Sequence, residues 1–342
     1  MNTEGSSPPA RSVVETIPPI QERFFYHSFP RRGATNGPEI DKGCEILAAI
    51  RDFGLLLTPE SIEWSQPSSG GAPSRIFPVL QRRASFTELS PSELPQHAEK
   101  FGQFALEFEI DTLRRLGAVP VLYVPQPMNE SGASALGTAL LAIVLDAQVA
   151  VTRLAYLYKM LNGSMPVLKE FSFDVGFARN PDDRGAFTIN RDEAKNILSA
   201  VGYAVTPWDA LAEGFQTLKS LFYFTDNAKR DKALDYYRQR EWRIVGNFSI
   251  NGTQAMREPT PSEKARLLEI DKDFFARVTQ TDLGPVDTLS QLLVYPGLND
   301  KRIIEMVRRI IVPAEAVDRV ADILDELNNP PQVVAMDQPQ TS

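Results

Sequence analysis

Two periodicities of apolar and polar residues run along this chain. RFFYHSF (23–29) is rich in aromatics and is ended by Pro30, which predicts a β-strand. From Pro38 onward, Ile40, Cys44, Leu47 and Ile50 fall at helical spacing, with Asp41 near the start and Gly54 at the end, so a helix is predicted there. The LLL that follows predicts a short strand stopped by Pro59, and SQPSSGGAPSR (65–75) reads as a surface loop. RRASFTELSP predicts a strand and turn, SELPQHAEKFG a short polar helix, and QFALEFEI a strand. DTLRRLGAVPVLYVP predicts a turn of helix and then a buried apolar strand.

The most apolar segment, 134–161, carries Asp146 and Arg153 in its body. Each charge at the centre of a bilayer-spanning helix costs roughly 2.5–3.5 kcal/mol. The segment therefore predicts a buried helix outside any membrane, the main part of a helical insertion at about 132–165. Residues 191–224 predict further helix, and DKALDYYRQREWRIVGNFSI passes from helix into strand. From ARLLEIDKDFFARV to AEAVDRVADILDEL, strand and helix alternate. Residues 1–20 read as a disordered, Pro-rich arm without the basic-then-apolar order of a signal peptide, and the residues from Asn328 onward predict a disordered tail. With no internal repeat and no Gly/Ser linker, the expectation is one α+β domain over 21–327.

Composition narrows the chemistry. The chain has 342 residues, 43% of them hydrophobic, and a formal net charge of −8. That charge argues against non-specific binding to nucleic acid or to anionic membranes. One cysteine, Cys44, allows no internal disulfide, and with two histidines it leaves too few ligands for a structural zinc site. A cytoplasmic location is the simplest expectation. GxSxG, GxxxxGK[ST], HExxH and a post-strand GxGxxG are all missing, which leaves hydrolase, P-loop, zincin and Rossmann readings unsupported.

Four pieces remain, in order: a strand with YHS, a helix ending in IRDFGLLL, a strand with RRASFTE, and late in the chain YYRQREWRI. This order resembles the ADP-ribosyltransferase superfamily. There, a first strand ends in histidine and a small polar residue and leads into a helix with I…GL. A strand with an aromatic and a hydroxyl residue follows, and a late strand bears a glutamate. The matching positions here are His27 and Ser28, Ile50 with Gly54 and Leu55, Phe86 and Thr87, and Glu241. The resemblance implies a split mixed or antiparallel sheet that brings strand 22–28 close to strand 240–248. It also implies an NAD site, in an active enzyme or an inactive relic of one, with His27 and Glu241 in catalytic roles. His27, Ser28, Phe86 and Thr87 would line that site, and Arg31, Arg32, Arg82 and Arg83 are candidates for the pyrophosphate.

Each residue also has a plainer reading. His27 can be a core histidine bonded to backbone, the REWR quartet an ion-pair cluster, and Glu88 a cap for SPSEL. His97, in a polar helix beside Glu93 and Glu99, reads as a surface residue, and Cys44 as inert core. On a strand, Glu241 and Arg243 share one face, so the cation should keep the carboxylate ionised.

A second likeness covers more of the chain. YHSFPRRG, IDKGCEILAAIRDFGLLLTPE, the block from Gln81 to Pro125 and YYRQREWRI resemble the AbiGi family of bacterial abortive-infection proteins. That resemblance implies a phage-defence role on the antitoxin side of a toxin–antitoxin pair, with a nucleotidyltransferase-like toxin as the cognate partner. It supplies no catalytic residues.

Overall fold

A computed structural model describes residues 23–30, 39–66, 75–124, 132–161, 170–175, 185–201, 214–215, 217–224, 240–246, 249–250, 253–281 and 284–336. The N-terminal arm and the candidates Arg31 and Arg32 lie outside the described residues. The fold is mixed α+β, built on a nine-stranded sheet. Its strands are β1 (Phe24–Phe29), β2 (Leu55–Gln66), β3 (Arg75–Leu89), β4 (Phe104–Phe108), β5 (Val119–Pro120), β6 (Glu241–Val245), β7 (Leu293–Tyr295), β8 (Arg309–Val312) and β9 (Gln332–Ala335). The order β7-β2-β3-β1-β4-β8-β9 forms the main path, and β6 joins β3 to β5 beside it. Within this sheet, among the described residues, β8–β9 is the only parallel pair.

Around the sheet lie α1 (Glu39–Phe53), α2 (Leu94–Phe101), α3 (Ile110–Arg115), α4 (Gly132–Leu161), α5 (Arg191–Val201), α6 (Pro261–Ile270), α7 (Lys272–Phe275) and α8 (Val317–Leu324). The helical stripe of α1 buries Cys44, Leu47 and Ile50 in the main core, against Phe25, Phe86 and Phe104 of the sheet. Gly54 ends α1 with φ +115°, and a Cβ there would lie 2.2 Å from the Tyr295 carbonyl oxygen. Glycine alone lets α1 stop directly against β7.

Three expectations need correction. Pro59 does not stop β2, which continues to Gln66 as a hairpin partner of β3. β7 covers β2 only over Leu55–Leu57, so at Pro59 the strand has a ladder on one edge and the missing N–H is tolerated. The ordered domain does not end at 327, because Gln332–Ala335 form β9 and Val333 packs on the core. The long helix α4 is only partly buried: Val144 and Leu161 are enclosed while Ile143 is 65% exposed. No helix among the described residues is long and apolar enough to cross a membrane.

Charge also stitches the sheet. Glu107 on β4 is fully buried and accepts from Tyr26 Oη at 2.9 Å, Arg308 Nη1 at 2.6 Å and Arg309 Nε at 2.7 Å. Burial pushes its carboxyl up, but these hydrogen bonds and the Arg309 charge outweigh that and hold it below the ordinary value.

Candidate functional site

β3 organises the site because it is paired differently on its two edges. One edge carries β6 from Arg83 to Thr87. The other carries β2 up to Arg83 and β1 only from Thr87 onward. Between them, residues 84–86 have no strand partner on that edge among the described residues, and the sheet is split there. β1 leaves β3 after Tyr26 but stays paired with β4 through Phe29. Strands 24–29 and 241–245 thus flank β3, and Thr87 is the register partner of both Tyr26 and Glu241.

Alternation then sorts the side chains. Ser85, Thr87 and Arg83 project to one face together with Glu241 and Arg243, while Ala84, Phe86, Trp242 and Ile244 project into the main core. By the same rule His27 belongs with Phe25 and Phe29 on the core face. At the split it reaches the gap: its Nδ1 lies 2.9 Å from the Ser85 carbonyl oxygen. A carbonyl only accepts, so Nδ1 carries the proton in this contact. Phe86 backs the imidazole, with ring centroids 5.5 Å apart. Burial lowers the pKa of His27 against the weaker upward pull of the Ser85 hydrogen bond, which keeps the ring neutral with Nε2 as an acceptor.

A two-lobed cleft opens at the split. The smaller lobe, about 170 Å³, is polar and is bordered by His27, Ser28, Arg83, Thr87, His97 and Glu241, with Ser85 and Tyr223 also in its wall. The larger lobe, about 470 Å³, meets it at His27, Ser28, Glu60, Arg83 and Ser85.

Glu241 is 8% exposed. Its Oε1 accepts from Ser85 Oγ at 2.6 Å and Arg243 Nε at 2.9 Å, whereas among the described residues Oε2 has only Arg243 Nη2 at 3.4 Å. Oε2 therefore keeps acceptor capacity for a ligand hydroxyl. Burial drives the carboxyl up, yet the charges of Arg243 and Arg83 and the hydrogen bonds from Arg243 and Ser85 win, leaving Glu241 below the usual carboxylate range. Arg243 is itself fully buried and donates to the carbonyls of Ser220 (2.8 Å) and Phe222 (3.1 Å) and to Gln81 Oε1 (3.3 Å). Its guanidinium lies 5.3 Å from the centre of the Tyr223 ring. Arg83 pairs with Glu60 and Gln81.

Of the sequence candidates, the fold brings together His27, Ser28, Arg83, Thr87 and Glu241. Phe86 is fully buried in the core and supports His27 without lining the cleft. Arg82 falls on the opposite face from Arg83 and is not part of the cleft wall. His97 corrects the surface expectation. Its Nε2 lies 3.2 Å from Thr87 Oγ1, its Nδ1 3.5 Å from Ser28 Oγ, and its ring stacks on Phe101 at 4.4 Å. Burial, helped by Lys100, pushes its pKa down to about 4. Both histidines of the chain thus border one small lobe. The available signal was position: His97 follows Leu94 by three residues, on the side of α2 that turns to the sheet.

No family model matches the chain, and no curated protein or solved structure is significantly similar to it.

Proposed function

We propose that the polar lobe binds the nicotinamide ribose of NAD and that the chain is an ADP-ribosyltransferase-type protein. One observation carries this reading: His27, Thr87 and Glu241, from three different strands, border the same lobe, with Glu241 held ionised. In such a site the C1′–N glycosidic bond breaks, and its electron pair leaves with neutral nicotinamide. The ribose becomes an oxocarbenium ion, and a fixed carboxylate stabilises that developing charge. Oε2 of Glu241, the less occupied oxygen, accepts from the 2′-hydroxyl, and Ser85 with Arg243 fixes the carboxylate plane. A water or acceptor hydroxyl then forms the new C1′–O bond and releases a proton. The neutral rings of His27 and His97 and the hydroxyls of Ser28 and Thr87 supply further ribose contacts.

Calorimetric titration with NAD tests binding, and release of nicotinamide from labelled NAD tests catalysis. Glu241→Gln is expected to lose the release while retaining measurable binding. Failure of the wild-type protein to bind NAD at millimolar concentration would sink the proposal.

The net charge of −8 favours a second reading, in which an acidic surface covers a basic nucleotide- or RNA-binding site on a toxin. This is the antitoxin role implied by the abortive-infection resemblance. Co-expression with the candidate toxin should relieve toxicity, and the two chains should co-purify; persistence of toxicity would discard this reading.

A further inference from the structure

The larger lobe of the cleft has no part in the proposed chemistry, yet its space is about 470 Å³. Ile46, Ala49 and Ile50 of α1 line it together with Leu56, Leu267 and Phe274. Protein interiors leave few voids larger than a water molecule. Apolar walls facing empty space forfeit their dispersion contacts. A chamber of this volume, apolar with a few polar groups at its border, has the character of a small-molecule site.

Its charges give the ligand a sign. Lys42 pairs with Asp271, and Arg83 pairs with Glu60, so four of the five charged residues at the border are matched. Arg277, the fifth, is exposed and has no carboxylate partner among the described residues. Its guanidinium sits 4.2 Å from the centre of the Phe274 ring. The chamber therefore joins an apolar interior to one cation at its rim that no carboxylate among the described residues compensates. Phe29, Phe274, Phe275 and His27 add ring faces and edges, which suit another ring by offset or edge contact.

We infer that this chamber binds a small aromatic anion, its ring among the α1 and α7 side chains and its anionic group on Arg277. The inference does not rest on the dinucleotide reading: the two lobes share His27, Ser28, Glu60, Arg83 and Ser85, but Thr87 and Glu241 border only the polar one.

The test is a fluorescence titration with 8-anilino-1-naphthalenesulfonate, beside the uncharged N-phenyl-1-naphthylamine, with folding followed by circular dichroism. The wild-type protein should show one saturable site for each dye. Arg277→Glu should weaken the sulfonate about tenfold or more and leave the neutral amine unchanged. Ala49→Phe, which fills the chamber, should weaken both dyes; if that variant loses its cooperative melt, Leu56→Trp takes its place. Glu241→Gln should change neither. Lack of saturable binding by the folded wild-type protein, or an unaltered sulfonate affinity in Arg277→Glu, would overturn the inference. Loss of dye binding in Glu241→Gln would overturn it too, by moving the dye to the polar lobe.

Discussion

His27 is both a core and a cleft residue, because its strand parts from its neighbour at that point. Its ring packs on Phe86, while Nδ1 reaches the Ser85 carbonyl at a gap open to solvent. His27→Ala should lower stability by only about 1 kcal/mol, since water can replace the lost donor at Ser85. A denaturant titration showing a loss of 3 kcal/mol or more would assign the residue to the core. His97 gives a pH signature. Its folded pKa, about 4, lies below the ordinary 6.5, so the unfolded chain takes up the proton first as pH falls. Its contribution is intact above about pH 6.5 and is lost between there and about pH 4, by roughly 2–3 kcal/mol. The paired carboxylates titrate lower: Glu263 is held at about 2, chiefly by its hydrogen bonds from Arg257. Urea titrations between pH 6.5 and 5 should therefore slope with pH in the wild-type protein and be flatter in His97→Gln. Equal slopes would remove His97 from the buried set.

Among the elements, β6 is held by charge as much as by its ladder. Arg243 ties it to the segment at 217–224 through the Ser220 and Phe222 carbonyls while neutralising Glu241. Arg243→Leu leaves a buried carboxylate with a hydroxyl and without its paired cation, only the charge of Arg83 remaining nearby, so a loss of about 3–5 kcal/mol is expected in a thermal or urea melt. A near-neutral melt would mean that Glu241 changes protonation or escapes to water. At the far end of the sheet, β9 covers the edge of β8. Truncation after Leu327 should bare that edge and the core beneath Val333, lowering the melting temperature and promoting association. Size-exclusion chromatography of the truncated chain reads this out, and an unchanged monomer-like profile with an unchanged melt would contradict it.

For the molecule as a whole, periodicity disclosed the elements better than their ends. α1, β4 and β6 were legible because their apolar residues recur at helix or strand spacing on the face turned to the main core. β2 beyond Pro59 and β9 were not, because both depend on which edge of the sheet a distant strand leaves free. The same limit applied to the site. The pairing of Glu241 with Arg243 followed from their spacing on one strand. The side on which Phe86 and Arg82 lie required the register of β3 against β1 and β6. For His97 the sole sign is its spacing from Leu94, which is weak in a helix whose other residues are mostly polar.

The break between β1 and β2 has a mechanical side. Elsewhere in the sheet, prising two neighbouring strands apart would tear a row of N–H···O=C bonds. Across residues 84–86 no such row exists on that edge, and the crossing is bridged by one imidazole. A guest wedged there displaces solvent and a single side-chain contact while every backbone rung stays closed, so the scaffold can admit it without partial unfolding.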